Sequence, residues 1–412
     1  MLKVIHILFD SPAVVGIFDL WDCVEVECEY LCLVDDEKDF EIKSITNVDR
    51  IQCMGYESVV AYLKEQEYDV AFFHALNQSR YRMLMTVPKD RVIMWSTWGF
   101  DIYYSGLKCP AVVPMKIFKP RTEAWSSCLE LKVIAYKFYK SIKESGWNLL
   151  KGVKTWTEGC FLANGESVQL QKEALRRVDY VSTVLGMAEY DTLRQNPNIT
   201  AEYFLYKYLG KRKPNVDRMT IDEENLVDFE HADSILLGNS GDPSNNHVDV
   251  LRVLKKRKIR MPLYLPMAYS NERYYDKFIR KMVSKMPNKS FIQSDVVSFD
   301  EYKKRVKCCR VGVFGHLRQQ SIGNISMCIA QGSKVFLYKD GVPYKYFKSQ
   351  GFVVFSLEDD LSNEAINTPL TRSQIEHNIR LLRSTSFDDV VNSLNQTMKC
   401  VALKRKERIT LC

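Results

Sequence analysis

Short apolar runs alternate with helical stretches along most of this chain, and that alternation limits its fold more than any other feature. The runs are almost continuously hydrophobic, which is typical of strands covered on both faces in a parallel sheet. A first series of strands is predicted at Val4–Phe9, Cys28–Val34, Tyr68–His74 and Arg91–Trp95. A second series is predicted at Ser234–Leu237, Pro262–Pro266, Val311–Phe314, Lys334–Tyr338 and Phe352–Phe355. The sequence therefore predicts an α/β protein.

The length of 412 residues favours two domains, because a typical domain holds roughly 100–200 residues. A polar, charged stretch at residues 211–222 separates the two strand series and is typical of an interdomain linker. We therefore predict a first domain at 1–215, a linker at 216–232 and a second domain at 233–372. Residues 373–412 are predicted to form C-terminal helices.

Cysteine usage and hydropathy predict a cytoplasmic protein. The twelve cysteines include no C-x-x-C pair, so neither a zinc ribbon nor a thioredoxin-type site is expected, and a reduced compartment fits best. The apolar run at Val4–Phe9 ends in an acid and is predicted to be a buried strand rather than a signal peptide. No charge-free apolar stretch reaches the roughly 18–20 residues that span a bilayer.

Residues 105–160 differ in composition from the rest of the chain. They hold ten basic residues against four acidic ones, with seven aromatic residues between them. Basic amphipathic helices with interfacial Trp and Tyr are typical of proteins that lie on an anionic membrane. An ordinary helical insertion with inward-facing aromatics would give the same pattern. Both interpretations stay open.

A glycine-rich connection follows the first strand of the second series. The strand runs into Gly238-Asn239-Ser240-Gly241-Asp242, and a helix is predicted from its N-cap, Ser244. Glycines let a backbone approach a ligand closely, and the amides at a helix start attract phosphate. The alternative is a polar connection with no ligand. The pattern is neither G-x-G-x-x-G nor Walker A, so it names no nucleotide.

A second connection, Gly315 to Asn324, also lies between a strand and a helix, predicted at Asn324–Gln331. Arg318 is placed to pair with diphosphate oxygens, because its planar fork suits bidentate contacts. Gly323 and Asn324 would present amides at the helix start. An arginine and a helix terminus can stabilise a departing diphosphate without metal, and the chain has no D-x-D motif. The alternative is a surface arginine beside a turn.

Two residues of the first half are candidates for a general base. Asp101 follows a strand, close to Trp98, which offers an apolar face to a sugar. His74 ends another strand. A carboxylate in this position is as often a cap or a cation partner, and a lone histidine is more often structural.

At these motifs the chain resembles glycosyltransferase family 56. The similarity is dense over residues 234–360 and sparse before residue 95. In the second half it is carried by Gly238, Asn239, Ser240, Gly241, Asp242, Ser244, Asn245, His247, Pro266, Met267, Tyr269, Arg318, Gln319, Gln320, Ile322 and Gly323. In the first half it is carried by Phe72, Phe73, His74, Trp98, Gly99, Asp101 and Tyr103.

The resemblance implies a GT-B fold, in which two Rossmann-like domains face each other across a cleft. It implies transfer of 4-acetamido-4,6-dideoxygalactose or a fucose-like sugar from a dTDP-sugar to a polyprenyl-diphosphate glycan (lipid II). It also implies a peripheral location at the inner membrane face, with no metal or other cofactor. The second-half residues, together with Asn324, would bind the donor. Trp98, Asp101 and Tyr103 would bind the acceptor, with Asp101, His74 and Arg318 catalytic.

Alternatives to this function remain. The enzyme could act in the synthesis of another surface glycan, such as a capsule or O-antigen. It could be a GT-B fucosyltransferase that uses another nucleotide-sugar or a non-lipid acceptor. A non-catalytic nucleotide- or glycan-binding protein is the alternative of a different class. A nucleic-acid partner is not expected, because the basic residues are confined to one insertion and no recognition motif accompanies them.

Overall fold

The computed structural model describes residues 1–411 except 12–13, 15, 35–41, 43–47, 104–109, 128–137, 140–141, 144–164, 208–222 and 269–272. The chain divides into two compact units. Unit 1 is formed by residues 1–114, 161–216 and 385–412, and unit 2 by residues 115–160 and 217–384. Each unit is an α/β layer structure built on a parallel sheet, as the hydrophobic runs predict.

Unit 1 contains, in its described residues, a parallel sheet of seven strands in the order β3-β2-β1-β4-β5-β6-β7. The strands are β1 Leu2–Leu8, β2 Val26–Leu33, β3 Ile51–Met54, β4 Val70–His74, β5 Val92–Ser96, β6 Tyr180–Ser182 and β7 Glu202–Tyr203. The helices are α1 Ile17–Trp21, α2 Tyr56–Glu65, α3 Gln78–Thr86, α4 Phe100–Tyr103, α5 Gly165–Arg177 and α6 Met187–Leu193. Every residue of β4 and β5 is buried, because helices cover both faces of the sheet centre.

Unit 2 contains, in its described residues, a parallel sheet of six strands in the order β10-β9-β8-β11-β12-β13. The strands are β8 Ser234–Leu237, β9 Leu263–Pro266, β10 Ser290–Gln293, β11 Cys309–Phe314, β12 Lys334–Leu337 and β13 Phe355–Ser356. The helices are α7 His247–Lys256, α8 Arg273–Val283, α9 Phe299–Lys307, α10 Ile322–Ala330, α11 Val342–Ser349, α12 Asn363–Asn367 and α13 Arg372–Leu382. Helix α7 buries Val248, Leu251 and Leu254 on one face, as predicted.

The strand orders of both sheets reverse direction at a defined point. Counted from its own first strand, unit 2 has the Rossmann order 3-2-1-4-5-6, and the reversal lies between β8 and β11. In unit 1 the reversal lies between β1 and β4. Open α/β sheets bind ligands in the crevice beyond the carboxyl ends of the strands at such a point. Of the two connections singled out in the sequence, the one at Gly238 follows β8 and the one at Gly315 follows β11. They therefore meet at this crevice of unit 2.

The structure divides the chain differently from the sequence prediction in two places. Residues 115–127, predicted to belong to an insertion of the first domain, pack within unit 2. Helix α14, Phe387–Leu411, was expected to follow the second domain but belongs to unit 1. Its Arg408 pairs with Asp179, and its Arg405 pairs with Asp90 at 2.8 Å. Both differences arise from long-range pairing, which local sequence patterns do not encode.

The predicted strand Phe352–Phe355 is mostly wrong, because only Phe355–Ser356 pairs with the sheet. Phe352 instead packs edge-on against Phe347 of α11, with ring centroids 5.1 Å apart. Four short strands were not predicted: β3, β6, β7 and β10. None of the helices in the described ranges is long and apolar enough to cross a membrane.

Candidate active site

The first glycine loop, residues 238–246, leaves β8 with its backbone folded tightly on itself. Gly238 has φ +69°, and a Cβ placed there would lie 2.6 Å from Asn245 Oδ1 and 2.8 Å from His247 Nε2. The buried Asn245 side chain accepts from the Asn239 amide at 2.9 Å and donates to Ser240 Oγ at 3.0 Å. This position therefore requires glycine for both its conformation and its close contacts.

The helix start after this loop differs from the prediction. The N-cap of α7 is Asn246, not Ser244, whereas Asp242 caps a 3-10 turn before the helix, where its Oδ1 accepts from the Ser244 amide at 2.8 Å. A 3-10 turn covers Pro243–Asn245, and α7 begins at His247 after Asn246, which is left-handed with φ 52°. The His247 amide donates to Tyr275 Oη at 3.1 Å, so the first amide of α7 has a protein partner.

The second glycine loop, residues 315–321, leaves β11 and packs against the first. A Cβ on Gly315 would lie 2.3 Å from the Asn245 carbonyl oxygen. Ser321 precedes α10 in a left-handed conformation, φ 62°, and its side chain makes no cap hydrogen bond. An α-helix leaves its first amides without intrahelical acceptors, so α10 directs these amides towards the crevice. The left-handed conformation of Ser321 therefore serves no cap. A strained backbone conformation of this kind is typical of a ligand site.

Side-chain hydrogen bonds join the two glycine loops into one site. Ser244 Oγ contacts Gln320 Oε1 at 2.5 Å and lies 3.5 Å from Arg318 Nη2. His316 Nε2 lies 3.2 Å from Asn239 Oδ1. Arg318 Nη1 donates to the Gln319 carbonyl at 3.2 Å, and its side chain is half-buried. The structure therefore brings together the two motifs that the sequence predicted separately.

Positive charge in the two loops comes from one side chain, and the exposed Asp242 adds one carboxylate. Burial lowers the pKa of His247 to about 4 and holds the pKa of His316 well below its ordinary value. Both imidazoles are therefore neutral at physiological pH. Arg318 is the single arginine or lysine in residues 238–246 and 315–321. An anionic ligand would meet this guanidinium and the helix dipole of α10.

The predicted donor residues divide by exposure. The buried ones are Gly238, Ser240, Gly241, Ser244, Asn245, His247, Pro266, Met267 and Gln319. The Met267 amide donates to the Gln293 carbonyl at 2.9 Å. Tyr269 lies outside the described residues. The exposed or half-buried ones are Asn239, Asp242, Arg318, Gln320, Ile322, Gly323 and Asn324.

Sequence reasoning missed three residues of this site: Asn246, Tyr275 and Ser321. Asn246 donates to the Gly315 carbonyl at 2.7 Å and so links the loops. Asparagine tolerates the left-handed conformation better than most residues, which was the available signal. Tyr275 lies in α8, remote in sequence, and carried no local signal.

The family comparison agrees with this geometry. The model of the 4-alpha-L-fucosyltransferases, glycosyl transferase group 56, matches residues 166–383, more than half of the chain. The chain belongs to glycosyltransferase family 56. The family match includes both glycine loops, so this crevice lies in the part of the chain that defines the family.

Solved structures of similar fold support the fold class of this family 56 glycosyltransferase. Sucrose-phosphate synthase from Thermosynechococcus elongatus is 10% identical with a TM-score of 0.56, covering 98% of this chain and 100% of that chain. The Anabaena protein HepE, in complex with UDP and glucose, is 12% identical with a TM-score of 0.54, covering 97% and 98%. A trehalose-6-phosphate synthase is 12% identical with a TM-score of 0.51, covering 99% of both chains. The predicted GT-B fold, with two Rossmann-like units, is confirmed.

In unit 1 of the glycosyltransferase, Asp101 has the surroundings of a structural carboxylate. Its Oδ1 accepts from the Trp98 amide at 2.8 Å, and its Oδ2 accepts from the Leu76 amide at 3.1 Å and Trp95 Nε1 at 3.0 Å. Burial raises the pKa of Asp101 to about 6 although these hydrogen bonds lower it. Three donors hold the carboxylate, which favours a role in fixing the ends of β4 and β5 over proton abstraction.

The other unit 1 candidates differ in exposure. His74 is fully buried with its Nε2 3.0 Å from His6 Nδ1, and burial holds its pKa well below the ordinary value. Tyr103 is 1% exposed. Trp98 is half-buried and packs on Phe9, with ring centroids 4.6 Å apart. Of these residues, Trp98 alone has the surface that an acceptor could touch.

Glu189 is a buried carboxylate of unit 1 that the sequence did not single out. Its oxygens accept from Tyr103 Oη at 2.8 Å and the Leu185 amide at 3.1 Å. Burial raises the pKa of Glu189 from 4.5 to about 7. The folded protein therefore holds this proton at pH values where the unfolded chain has released it.

We expect this proton to make stability depend on pH. The contribution of Glu189 to the free energy of unfolding should be full below pH 4.5 and fall by about 1–3 kcal/mol as the pH rises to 7. Urea unfolding of the wild type and Glu189→Gln at pH 5 and pH 8 measures it. The stability difference between the two proteins should change with pH in that direction. A pH-independent difference would contradict the assignment.

Proposed function

We propose that this enzyme transfers a deoxy(amino)sugar from a dTDP-sugar to a polyprenyl-diphosphate-linked glycan in bacterial surface polysaccharide synthesis. The sugar would be 4-acetamido-4,6-dideoxygalactose or a fucose-like sugar. Fucosyltransferase-family membership supports the sugar class. The observation that carries the donor half of the proposal is the joined pair of glycine loops at the strand-order reversal of unit 2.

The proposed chemistry in unit 2 is stabilisation of a leaving group. As the bond between the anomeric carbon and the diphosphate oxygen breaks, negative charge grows on the nucleoside diphosphate. Arg318 and the first amides of α10 would stabilise that charge, and prepositioned donors of this kind supply a large part of many rate enhancements. An acceptor hydroxyl attacks the anomeric carbon as that bond breaks, and its proton passes to the departing diphosphate or to water.

The donor base is proposed to be a pyrimidine. The family resemblance implies dTDP, and HepE of similar fold was solved with UDP and glucose. Uridine and thymidine diphosphates share the pyrimidine ring and the diphosphate and differ at one methyl and one hydroxyl group. Arg318 and the first amides of α10 would contact the diphosphate, which UDP and dTDP share. The base and the sugar of the donor are therefore tested directly.

The lipid acceptor is proposed from residues 105–160, whose basic and aromatic composition suits an anionic membrane surface. Much of that segment lies outside the described residues. The reaction is also proposed to need no metal ion. Arg318 and the first amides of α10 would stabilise the departing diphosphate instead, and the chain has no D-x-D motif.

A donor panel tests the proposal. Purified enzyme is given dTDP-, UDP- and GDP-sugars with a polyprenyl-diphosphate glycan in detergent, with and without EDTA, and nucleoside diphosphate release is measured. We expect release from a dTDP-deoxysugar that depends on acceptor and persists in EDTA. Release from GDP-sugars alone would overturn the donor assignment. Equal transfer to a soluble, lipid-free glycan would overturn the acceptor assignment.

A further inference from the structure

Residues 115–127, here called the strap, are tied to the first glycine loop within unit 2. The Lys119 amide donates to Asn246 Oδ1 at 2.7 Å, and Asn246 Nδ2 donates to the Ile117 carbonyl at 3.2 Å. The same Nδ2 donates to the Gly315 carbonyl at 2.7 Å. The fully buried Asn246 side chain therefore contacts three chain segments: the strap and both glycine loops.

A second set of contacts fixes the strap on α7. Residues 120–127 are helical, and the Asp249 carboxylate accepts from the Arg121 amide at 3.1 Å and the Thr122 amide at 2.8 Å. Asp249 thus caps this helical segment from another helix. The Lys119 ammonium also pairs with Asp340 at 2.8 Å.

A third contact runs from the strap through an aromatic side chain. Trp125 packs on Tyr275 with ring centroids 4.9 Å apart. Tyr275 Oη in turn accepts from the His247 amide. His247 closes the back of the first glycine loop, because its Nε2 would contact a Cβ on Gly238. The strap therefore reaches the glycine loops by two routes, Asn246 and Tyr275.

We infer that the strap is a built-in clamp of the donor site and that Asn246 is the positioning residue through which it acts. The inference rests on the proposed donor role of the glycine loops. Three carbonyls, of Ile117, Ser244 and Gly315, and the Lys119 amide converge on this single side-chain amide. Its loss therefore removes four hydrogen bonds together. The loops would then keep their sequence but lose the spacing that the diphosphate requires, since positioning errors of about 1 Å are costly.

Asn246→Gly tests the clamp, because glycine keeps the left-handed backbone and removes the side chain without adding charge. Asn288→Gly is the matched control. Asn288 is also buried and also bridges two carbonyls, donating to Ile259 at 3.0 Å and Met261 at 2.8 Å. It precedes β10 at the amino ends of the same sheet, away from the glycine loops. Both variants should lose stability.

Two measurements on the full-length variants decide the inference. Hydrogen exchange without ligand should rise in residues 117–119, 238–246 and 315–321 of Asn246→Gly but not of Asn288→Gly. Calorimetric titration with dTDP, well below the melting temperature, should give at least about tenfold weaker binding for Asn246→Gly alone.

Unchanged exchange in these segments would overturn the clamp. Unchanged affinity with raised exchange, or equal weakening in both variants, would overturn Asn246 as a positioning residue. If the wild type bound no dTDP, UDP or GDP, the proposed function would fail, and the donor role of Asn246 with it. The exchange data would still decide whether the strap holds the loops.

Discussion

Replacement of Arg318 by alanine is expected to lower kcat for sugar transfer by about 10²–10³. The guanidinium is the single arginine or lysine side chain of the two glycine loops, and both nearby histidines are neutral because burial lowers their pKa values. No other side chain of the loops can replace its charge as the diphosphate departs. Arg318→Lys should recover part of the rate, because an ammonium keeps the charge but loses the planar fork.

Arg310→Ala is the matched control for Arg318→Ala. Arg310 lies on β11, the strand that leads into the second glycine loop. Its side chain donates to the Ala232 carbonyl at 2.9 Å and Asn367 Oδ1 at 2.7 Å. Its loss should lower stability and leave kcat within about twofold at a temperature well below unfolding. Steady-state transfer assays at saturating donor separate kcat from KM. Equal kcat values for Arg318→Ala and the wild type would show that leaving-group stabilisation lies elsewhere.

The central strands of both sheets could be predicted because their signal is local. Strands β4, β5, β8 and β11 are continuous apolar runs, and burial on both faces requires such runs. The edge strand β10 was missed because one of its four residues is buried. Strands β6 and β7, with three and two residues, are too short to show a period.

Helix α14 illustrates a different limit. Its helical character was predicted, but its sequence offers an apolar face without specifying what that face covers. In the structure Val390, Leu394 and Val401 join the core of unit 1. Its basic residues Lys404, Arg405 and Arg408 pair with acids that precede them by more than 200 residues. Pairing over such distances is a tertiary property, so the domain assignment required the structure.

The two tight glycine loops could be predicted from local sequence, whereas the surroundings of Asp101 could not. Glycines and short polar residues after a strand allow tight turns and close backbone approach, and this signal lies in neighbouring residues. Asp101 has only its position after β5 as local information. The three donors that surround it come from Leu76, Trp95 and Trp98, which all lie outside its helix α4, and Leu76 precedes it by 25 residues. Its partners, and thus its role, depend on the folded sheet.

Gly315→Ala is expected to destabilise unit 2 by about 3 kcal/mol or more and to abolish measurable donor binding. The new Cβ would lie 2.3 Å from the Asn245 carbonyl oxygen and 2.8 Å from Val250 Cγ2. A side chain could rotate away, but a carbonyl oxygen is fixed by the backbone of the first glycine loop. The substitution can therefore be accommodated only if the two loops move apart, which separates Ser244 from Gln320 and Arg318.

Gly323→Ala provides the contrast within the same region. Gly323 sits in the first turn of α10, and apart from its chain neighbours and the backbone of its own helix, no heavy atom of the described residues lies within 4 Å of a Cβ placed there. Alanine there should raise the free energy of unfolding by up to about 1 kcal/mol, because it is the better helix former. Urea unfolding of both variants and dTDP titration of Gly315→Ala check these expectations. Wild-type stability and affinity in Gly315→Ala would mean that the loops tolerate separation, and the close approach would then have no part in donor binding.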